Sequence, residues 1–242
     1  HVPEVMELFT LLGMVTPLSW LLRVPTFKEK ARQQPENVNY GLVGYPVLMT
    51  ADIILYKAEV VPVGEDQLPH LELAREIVRR FNDKFGPTFP EPEARLTQFP
   101  TIVGLDGHEK MSKSLGNYLD LAATSEETLK KIGAAVTDVT RLRRTDIGHP
   151  QFCNVFSLRK YFTPGVLDDL TVACSTAKIG CVECKKQLAE GINKVLGPVR
   201  ERRAEIAKDP DYIRDALADG AKRAKAIARV TLNEVKQKMG LA

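Results

Sequence analysis

A short cationic loop contains the residues whose types and spacing most directly suggest chemistry. Residues 110–114 read Lys-Met-Ser-Lys-Ser, and Gly116 follows them. A lysine ammonium is a compact point charge that suits phosphate oxygens, so two lysines three residues apart indicate a phosphate-binding loop. By composition alone a solvated surface loop is the more common case, and a second motif is needed to favour function.

A glycine-containing turn supplies that second motif. Gly64 to Gln67 follows the β-branched run Val60–Val63, a predicted buried strand, and precedes the helical period of Leu68–Phe85. In open α/β sheets ligands bind beyond the carboxyl ends of the strands, where glycine allows the backbone to approach closely. The turn alternatively only reverses the chain, with Asp66 as a helix cap, and both interpretations fit these residues about equally.

The third candidate group lies on one face of a helix. The segment Tyr40–Ala58 has the composition of a buried helix, and within it Tyr45, Met49 and Asp52 are spaced four and three residues apart. This spacing places the three side chains on the same face. They are therefore candidates for one wall of a binding pocket.

Four cysteines have the spacing of metal ligands. Cys153, Cys174, Cys181 and Cys184 are separated by twenty, six and two residues. The last pair can chelate one centre within a single helical turn, and four thiolates suit tetrahedral Zn²⁺ or an iron–sulfur cluster. Four unrelated buried thiols are the alternative, which three cysteines within eleven residues make the less favoured interpretation.

The composition restricts the class of protein that positions these groups. With 242 residues, 44% hydrophobic and 27% charged, the chain fits one large or two smaller globular domains and excludes a disordered or collagen-like protein. No apolar run approaches the roughly 20 residues of a membrane helix, and the N-terminus shows no secretion signal. From Cys184 onward, 14 Lys and Arg face 8 Asp and Glu, which fits either a solvated helical surface or a face for RNA.

The remaining pattern predicts an α/β part followed by a helical part. Pro3–Leu22 has the composition of one or two helices, and the polar stretch Lys28–Asn39 is predicted to be a loop. The further predicted elements are a strand at Thr101–Val103, a helix at Ser125–Val136, and helices beyond Thr137 with loops near residues 140–151 and 176–180.

Together these motifs resemble those of class I aminoacyl-tRNA synthetases of the tryptophanyl type. Residues 110–114 spell the KMSKS motif of that class letter for letter. The stretch Val61–Gln67 followed by His70–Glu76, and Tyr45–Tyr56 before it, look like the tryptophanyl members. The resemblance extends from Val2 to Leu241, and the ordered combination of motifs is far more specific than any one of them.

The resemblance implies a fold and a reaction. The fold is α/β, with part of a Rossmann-like nucleotide-binding domain at residues 1–120 and an all-α anticodon-binding domain at residues 121–242. The implied reaction is ATP-dependent ligation of tryptophan to tRNA(Trp) through tryptophanyl-adenylate, with Mg²⁺ as the metal ion that accompanies ATP. A homodimer joined through the apolar segments Val5–Leu22 and Tyr40–Tyr56, and a cytoplasmic location without membrane association, are also implied.

Tryptophan recognition is implied by residues that match the family's motifs. Tyr45 and Gln67 hold the ammonium end of the amino acid. The thioether of Met49 suits a flat apolar indole, and Asp52 can accept the indole N–H. Asp52 is otherwise a paired core carboxylate. The nearest alternative is a tyrosyl enzyme, which typically carries Gln where this chain has Met49.

ATP binding is implied by a second set of matching residues. Gly64 and Asp66 lie near the nucleotide and the amino acid, and Val103 lies by the adenine. Closure of the loop completes the site, and Lys110 and Lys113 offset the charge of the leaving pyrophosphate. The catalytic and ATP-binding residues implied in the loop are Lys110, Met111, Ser112 and Lys113.

One motif of the family is missing from the sequence. The family's His-x-Gly-His motif follows its first strand, and none of His1, His70, His108 and His149 fits that pattern. The opening residues, His-Val-Pro-Glu, resemble a point well inside the family's catalytic domain. We therefore expect the chain to be part of a longer synthetase, to lack part of the ATP site, and to be inactive by itself.

For the four cysteines the resemblance implies a [4Fe–4S] cluster, with Zn²⁺ as the alternative. Its expected role is structural or in tRNA recognition and not in redox chemistry. Basic residues around the ligands either meet tRNA phosphates or are ordinary surface residues. They are Arg141, Arg143, Arg144, Lys178, Lys185 and Lys186. Two other functions stay open, namely a non-catalytic synthetase-like partner that binds tRNA or protein, and a thiolate–metal module with a regulatory role.

Overall fold

The computed structural model describes residues 1–96 and 101–241. The chain divides into two compact units, one formed by His1–Pro100 with Asp211–Ala242 and the other by Thr101–Pro210. The first unit therefore takes up both ends of the chain, and the second is one continuous segment. The predicted division into domains at residues 1–120 and 121–242 stays a prediction, and the compact units have different bounds.

Helices dominate the first unit before its sheet. The segment Pro3–Leu22 forms two helices, as predicted, because the chain changes direction between them at Thr16 and Pro17. Asn39 caps the fourth helix, and its side chain accepts a hydrogen bond from the amide of Leu42 at 3.0 Å. The four helices are α1 Glu4–Gly13, α2 Leu18–Leu21, α3 Pro25–Gln33 and α4 Tyr40–Ile54.

A parallel β–α–β arrangement follows these helices. Strand β1, Val60–Val63, pairs in parallel with strand β2, Glu93–Leu96, and the register aligns Val60 with Glu93. Helix α5, Leu68–Phe85, lies between the strands in sequence, since parallel strands require a crossover connection. The predicted α/β class is confirmed.

The long C-terminal helix α10, Pro210–Met239, completes the core of the first unit. Leu232 of α10 belongs to the same buried apolar cluster as Leu12 of α1, Ile54 of α4 and Phe81 of α5. Burial of such side chains is the main favourable contribution to folding. The core of this unit therefore depends on residues from both ends of the chain.

Ion pairs accompany this apolar contact. Arg229 Nε of α10 lies 3.0 Å from Oε1 of the buried Glu4 on α1. Lys57 Nζ, just after α4, lies 2.7 Å from Glu234 Oε2 of α10. Both pairs join α10 to the N-terminal part of the first unit.

The second unit is helical and has an apolar cluster of its own, with Ile132, Leu188 and Ile192 fully buried. Its first helix begins at a capping box, in which Thr124 and Glu127 each accept a hydrogen bond from the other's backbone amide. Among the residues that the structure describes, no helix combines the length and apolar character needed to cross a bilayer. The helices are α6 Ser125–Ala134, α7 Asn154–Phe162, α8 Leu167–Ser175 and α9 Cys181–Ile206.

Three predicted elements differ from the structure. The prediction of a loop at Lys28–Asn39 is wrong for residues 28–33, which belong to helix α3. This helix buries Phe27 and exposes its polar residues to solvent. Strand β1 is not buried, because β2 is its one partner among the described residues and its side chains stay partly exposed. The strand predicted at Thr101–Val103 is reduced to an isolated antiparallel bridge between Val103 and Lys110.

Candidate active site

Tyr45, Thr26 and His70 meet in the first unit. Tyr45 lies on α4, Thr26 in the first turn of α3, and His70 in the first turn of α5. The Tyr45 hydroxyl oxygen is 2.7 Å from Thr26 Oγ1 and 3.1 Å from His70 Nε2. Thr26 Oγ1 and His70 Nε2 are 3.0 Å apart. The three polar groups form a closed triangle of hydrogen-bonding distances, which holds the Tyr45 hydroxyl in one place.

His70 is buried, with only 3% of its surface exposed. Burial lowers the pKa of His70, the ammonium of Lys30 lowers it further, and Asp66 opposes this in part. Lys30 Nζ lies 4.9 Å from the centroid of the Tyr45 ring, and the Tyr45 and His70 rings meet edge to face. The His70 imidazole is therefore neutral at pH 7.

Met49 and Asp52 lie on the same face of α4 as Tyr45. The opposite face, which includes Val47 and Ile54, is fully buried in the core. Met49 is half-buried against the edge of that core, whereas Asp52 is exposed. Partial desolvation still raises the pKa of the Asp52 carboxyl. The helix predicted to be buried thus has one open face, and the candidate tryptophan-binding residues are on it.

The turn after β1 places two candidate residues side by side. Glu65–Gln67 forms a single 3₁₀ turn, and α5 begins at Leu68. Gln67 Nε2 donates a hydrogen bond of 3.0 Å to Asp66 Oδ2. Gly64 has a φ of −76°, so its conformation does not itself require glycine. The turn follows the carboxyl end of a parallel strand, the position at which α/β proteins bind ligands.

The cationic loop lies in the second unit, together with Val103, while the candidate tryptophan-binding residues lie in the first. The bridge between Val103 and Lys110 closes the base of the loop, and the Met111 amide donates to the Ile102 carbonyl oxygen at 2.9 Å. Met111 packs against the apolar cluster of the unit, and Lys113 is exposed. The loop thus has an apolar anchor beside exposed cations.

The buried side chain of Asn117 fixes the cationic loop through hydrogen bonds. Its Oδ1 accepts a hydrogen bond from the Ser112 amide at 2.8 Å, and its Nδ2 donates to the Lys110 carbonyl oxygen and to Asp106 Oδ2. Gly104 lies against this side chain, and a Cβ atom at that position would be 2.1 Å from Asn117 Nδ2. Only glycine leaves room for the Asn117 amide.

The four cysteines come together at the ends of three helices. Cys153 precedes α7, Cys174 is in the last turn of α8, Cys181 begins α9, and Cys184 is one turn further. All four lie in the described part of the chain, and none is in a disulfide. Burial raises the pKa of the Cys174 and Cys184 thiols, and the neighbouring thiols add to that rise.

Two arginines face these cysteines. Arg141 Nη1 lies 4.0 Å from Sγ of both Cys174 and Cys181. Arg159 is fully buried and donates to the Cys184 carbonyl oxygen at 2.6 Å. Each guanidinium opposes the effect of burial on the thiol pKa and so favours the thiolate, the form that binds metals.

The donor set has the chemistry of a thiolate metal site. A Cβ atom on Gly148 would lie 2.4 Å from Cys174 Sγ, so glycine leaves space on that side of the sulfur. Within residues 1–96 and 101–241, no three His, Cys, Asp or Glu side chains are placed to hold a single metal ion. The four thiols are soft donors of the kind that binds zinc or iron–sulfur clusters.

Three residues of the site were not identified from the sequence. His70, in the first turn of α5, follows Gln67 by about one helical turn, and that spacing could have indicated His70. Asn117 directly follows the loop's glycine and is buried, although nothing in its type predicts burial. Thr26 gives no sequence signal, because it is near His70 only through the packing of α3 against the rest of the unit.

Comparisons with known proteins agree with the motifs. The chain matches the family of tRNA synthetases class I (W and Y) over residues 1–197. It is 47% identical over 242 residues to the tryptophan–tRNA ligase of Deinococcus radiodurans, covering 99% of this chain and 73% of that protein. Identity to the tryptophan–tRNA ligase of Thermotoga maritima is 43%, with coverage of 99% and 74%.

A solved structure extends the match to three dimensions. The tryptophanyl-tRNA synthetase of Campylobacter jejuni, complexed with ADP and tryptophan, is similar with a TM-score of 0.83 and 34% identity. The match covers 99% of this chain and 75% of that chain. Sequence and fold therefore agree, and the chain belongs to the class I tRNA synthetases of the tryptophan and tyrosine group.

Proposed function

We propose that the protein ligates tryptophan to tRNA(Trp) in two steps. The tryptophan carboxylate attacks the α-phosphate of ATP, forming tryptophanyl-adenylate and releasing pyrophosphate. A terminal ribose hydroxyl of the tRNA then takes the acyl group, and AMP leaves. The observation that carries this proposal is identity of 43% and 47% to two tryptophan–tRNA ligases over 99% of the chain.

Tryptophan binding is assigned to the open face of α4 and the turn after β1. Tyr45 and Gln67 hold the ammonium group, Met49 packs against the indole, and Asp52 accepts its N–H. The indole N–H is a donor only, so a partly desolvated carboxylate is a suitable partner. Met49, in place of the glutamine typical of tyrosyl enzymes, favours tryptophan over tyrosine.

ATP binding is assigned to the turn after β1 and to the cationic loop. Gly64 and Asp66 lie near the nucleotide, and Val103 lies by the adenine. Lys110 and Lys113 offset the negative charge of the leaving pyrophosphate, which Mg²⁺ also neutralises. No covalent enzyme nucleophile is needed, because positioning and electrostatic stabilisation lower the barrier. The remaining loop residues assigned to this site are Met111 and Ser112.

Tryptophan-dependent exchange of pyrophosphate into ATP tests the reaction. The full-length protein is expected to catalyse exchange with tryptophan and not with tyrosine. Exchange with tyrosine alone would overturn the choice of substrate. Binding of tRNA without exchange for any amino acid would indicate the non-catalytic synthetase-like partner instead.

We further propose that Cys153, Cys174, Cys181 and Cys184 hold a [4Fe–4S] cluster, with Zn²⁺ as the alternative. The Arg141 guanidinium, 4.0 Å from Sγ of both Cys174 and Cys181, supports a negatively charged thiolate centre. The choice of the cluster over zinc rests on the resemblance to synthetases with a similar cysteine spacing, because four soft thiolates suit either centre. The centre would join the ends of α7, α8 and α9.

Metal analysis of the protein purified without oxygen tests this site. Iron, sulfide and visible charge-transfer absorbance are expected, whereas zinc, a d¹⁰ ion, gives no such absorbance. Cys181→Ser is expected to lower the metal content, and Ser175→Ala, next to Cys174 in sequence, is the matched control. Unchanged metal content in Cys181→Ser would show that the four thiols are not the ligands.

The tRNA partner is assigned to the basic residues near the cysteines. Arg143, Arg144 and Lys178 line an open cavity of about 450 Å³ beside Cys181. Lys185 instead donates to the Gly133 carbonyl oxygen at 2.8 Å, which gives it a structural partner. Replacing Arg143 and Lys178 by glutamate is expected to weaken tRNA binding and leave pyrophosphate exchange unchanged, because exchange does not involve tRNA.

A homodimer is also proposed, through the apolar segments near α1, α2 and α4. Met6, Met14, Leu18 and Tyr40 are large apolar or aromatic side chains that are exposed in the single chain. Exposed apolar side chains gathered in neighbouring segments are typical of subunit interfaces. Light scattering coupled to gel filtration of the full-length protein measures the mass directly, and a monomer would contradict the proposal.

A further inference from the structure

The hydrogen-bond triangle around Tyr45 is more specific than packing alone requires. His70 is buried in the first turn of α5, yet its Nε2 points to two hydroxyl groups, and its Nδ1 is buried with no hydrogen-bond partner among the described residues. A buried imidazole nitrogen without a partner costs free energy. A leucine of similar size would avoid that cost. The polar contact of Nε2 therefore indicates a functional reason for histidine.

Hydrogen-bond counting shows what the triangle does to the Tyr45 oxygen. A phenol has one hydrogen to donate and two lone pairs. If neutral His70 accepts, the Tyr45 hydrogen points to Nε2 and Thr26 donates to the Tyr45 oxygen. If His70 donates, the Tyr45 hydrogen points to Thr26. In either tautomer, one lone pair of the Tyr45 oxygen remains for an ammonium donor.

We propose that His70 is a positioning residue for tryptophan, which fixes the Tyr45 hydroxyl so that its free lone pair is directed to the substrate's ammonium group. Thr26 is the second partner in the same role. The proposal rests on the proposed function, in which Tyr45 contacts that ammonium group. Burial and the Lys30 ammonium lower the pKa of His70, so the imidazole itself adds no positive charge beside the substrate's ammonium.

The first test compares two substitutions of His70 in the full-length protein. His70→Leu removes the hydrogen bond, and His70→Gln keeps an amide that reaches the position of Nε2. We expect His70→Leu to raise the KM for tryptophan about tenfold in pyrophosphate exchange, with kcat and the KM for ATP within about twofold. His70→Gln is expected to stay within about threefold of the native KM.

A double-mutant cycle shows whether His70 acts through the Tyr45 hydroxyl. Tyr45→Phe removes that hydroxyl, so His70→Leu added to Tyr45→Phe is expected to change the KM by less than about twofold. The same tenfold effect in both backgrounds would overturn the proposal. An equal fall in kcat, or a rise in the KM for ATP, would also overturn it by indicating a general structural defect.

Failure of the inference differs from failure of the proposed function. If Tyr45→Phe leaves the KM for tryptophan unchanged, the assigned tryptophan site is wrong. If Tyr45→Phe raises the KM but His70→Leu does not, only the role of His70 is wrong. Should His70→Leu fail to fold in thermal unfolding, Thr26→Val removes the other partner with little change in shape. A native tryptophan KM in Thr26→Val would then contradict the proposal.

Discussion

Asp52 is the side chain assigned to accept the indole N–H in the proposed site. A hydrogen bond to a charged group contributes roughly 1.5–3 kcal/mol. Asp52→Ala is therefore expected to raise the KM for tryptophan in pyrophosphate exchange by about tenfold or more. Asp83→Ala is the matched control, because Asp83 is an exposed carboxylate on α5 of the same unit. Equal effects of the two substitutions would contradict the assignment.

Asp138 is a buried carboxylate that organises a loop of the second unit. It accepts hydrogen bonds from the Thr140 hydroxyl and amide at 2.6 and 2.9 Å, and from the His149 amide and Nδ1 at 2.8 Å each. Burial by itself raises the pKa of Asp138, but these hydrogen bonds outweigh burial and hold the pKa well below its ordinary value. The carboxylate therefore stabilises the fold only while it is ionised.

The expected consequence is a pH-dependent loss of stability in Asp138→Asn. The stabilising effect is fully present above the ordinary pKa of 3.8 and is lost as the pH falls toward the lower folded-state pKa. At pH 7 we expect Asp138→Asn to cost about 2 kcal/mol, and the difference from the native protein to shrink below pH 4. Hydrogen exchange of the α9 amides measures this difference in stability at each pH. Glu190→Gln, exposed on α9, should cost little at either pH.

For single residues, local spacing predicts which side chains share a helix face, but it does not predict which side chains meet through tertiary contact. Tyr45, Met49 and Asp52 share a face because α4 is a regular helix. Thr26 and His70 meet Tyr45 from two other helices, and no local pattern records that meeting.

Among the elements, the cationic loop depends on one glycine. Gly104→Ala is expected to displace the Asn117 amide, which ties the Ser112 amide and the Lys110 carbonyl oxygen together. We expect faster hydrogen exchange over residues 110–117 and a KM for ATP raised about tenfold. Gly133→Ala on α6 is the matched control, because its added Cβ meets nothing within 4 Å. An unchanged KM for ATP in Gly104→Ala would contradict the role of Asn117.

Elements with strong periodicity were predicted well, and those that depend on distant partners were not. Helix α5 matches its predicted bounds, because apolar residues recur along it at helical spacing. Helix α3 was missed because Phe27 is its one buried side chain. Strand β2, Glu-Ala-Arg-Leu, has little β propensity and is a strand only through pairing with β1.

For the molecule as a whole, α10 is required by the first unit. Leu232→Ala removes a side chain that is 3% exposed, so we expect a loss of about 2–5 kcal/mol of stability. Trp20, the only tryptophan, packs against the core of that unit and reports its unfolding by fluorescence. Leu217→Ala, at a site 55% exposed on the same helix, should be nearly neutral. Equal midpoints in urea for both variants would contradict the packing of α10.

The discontinuous first unit has a consequence for synthesis on the ribosome. The chain emerges from its N-terminus, so α1 to α5 leave the ribosome well before α10, while the continuous second unit can already fold. Translation of residues 101–210 takes roughly 5 to 20 s at about 5–20 residues per second. During that interval the apolar surface that later contacts Leu232 is open to water, so we expect a nascent-chain chaperone to bind there.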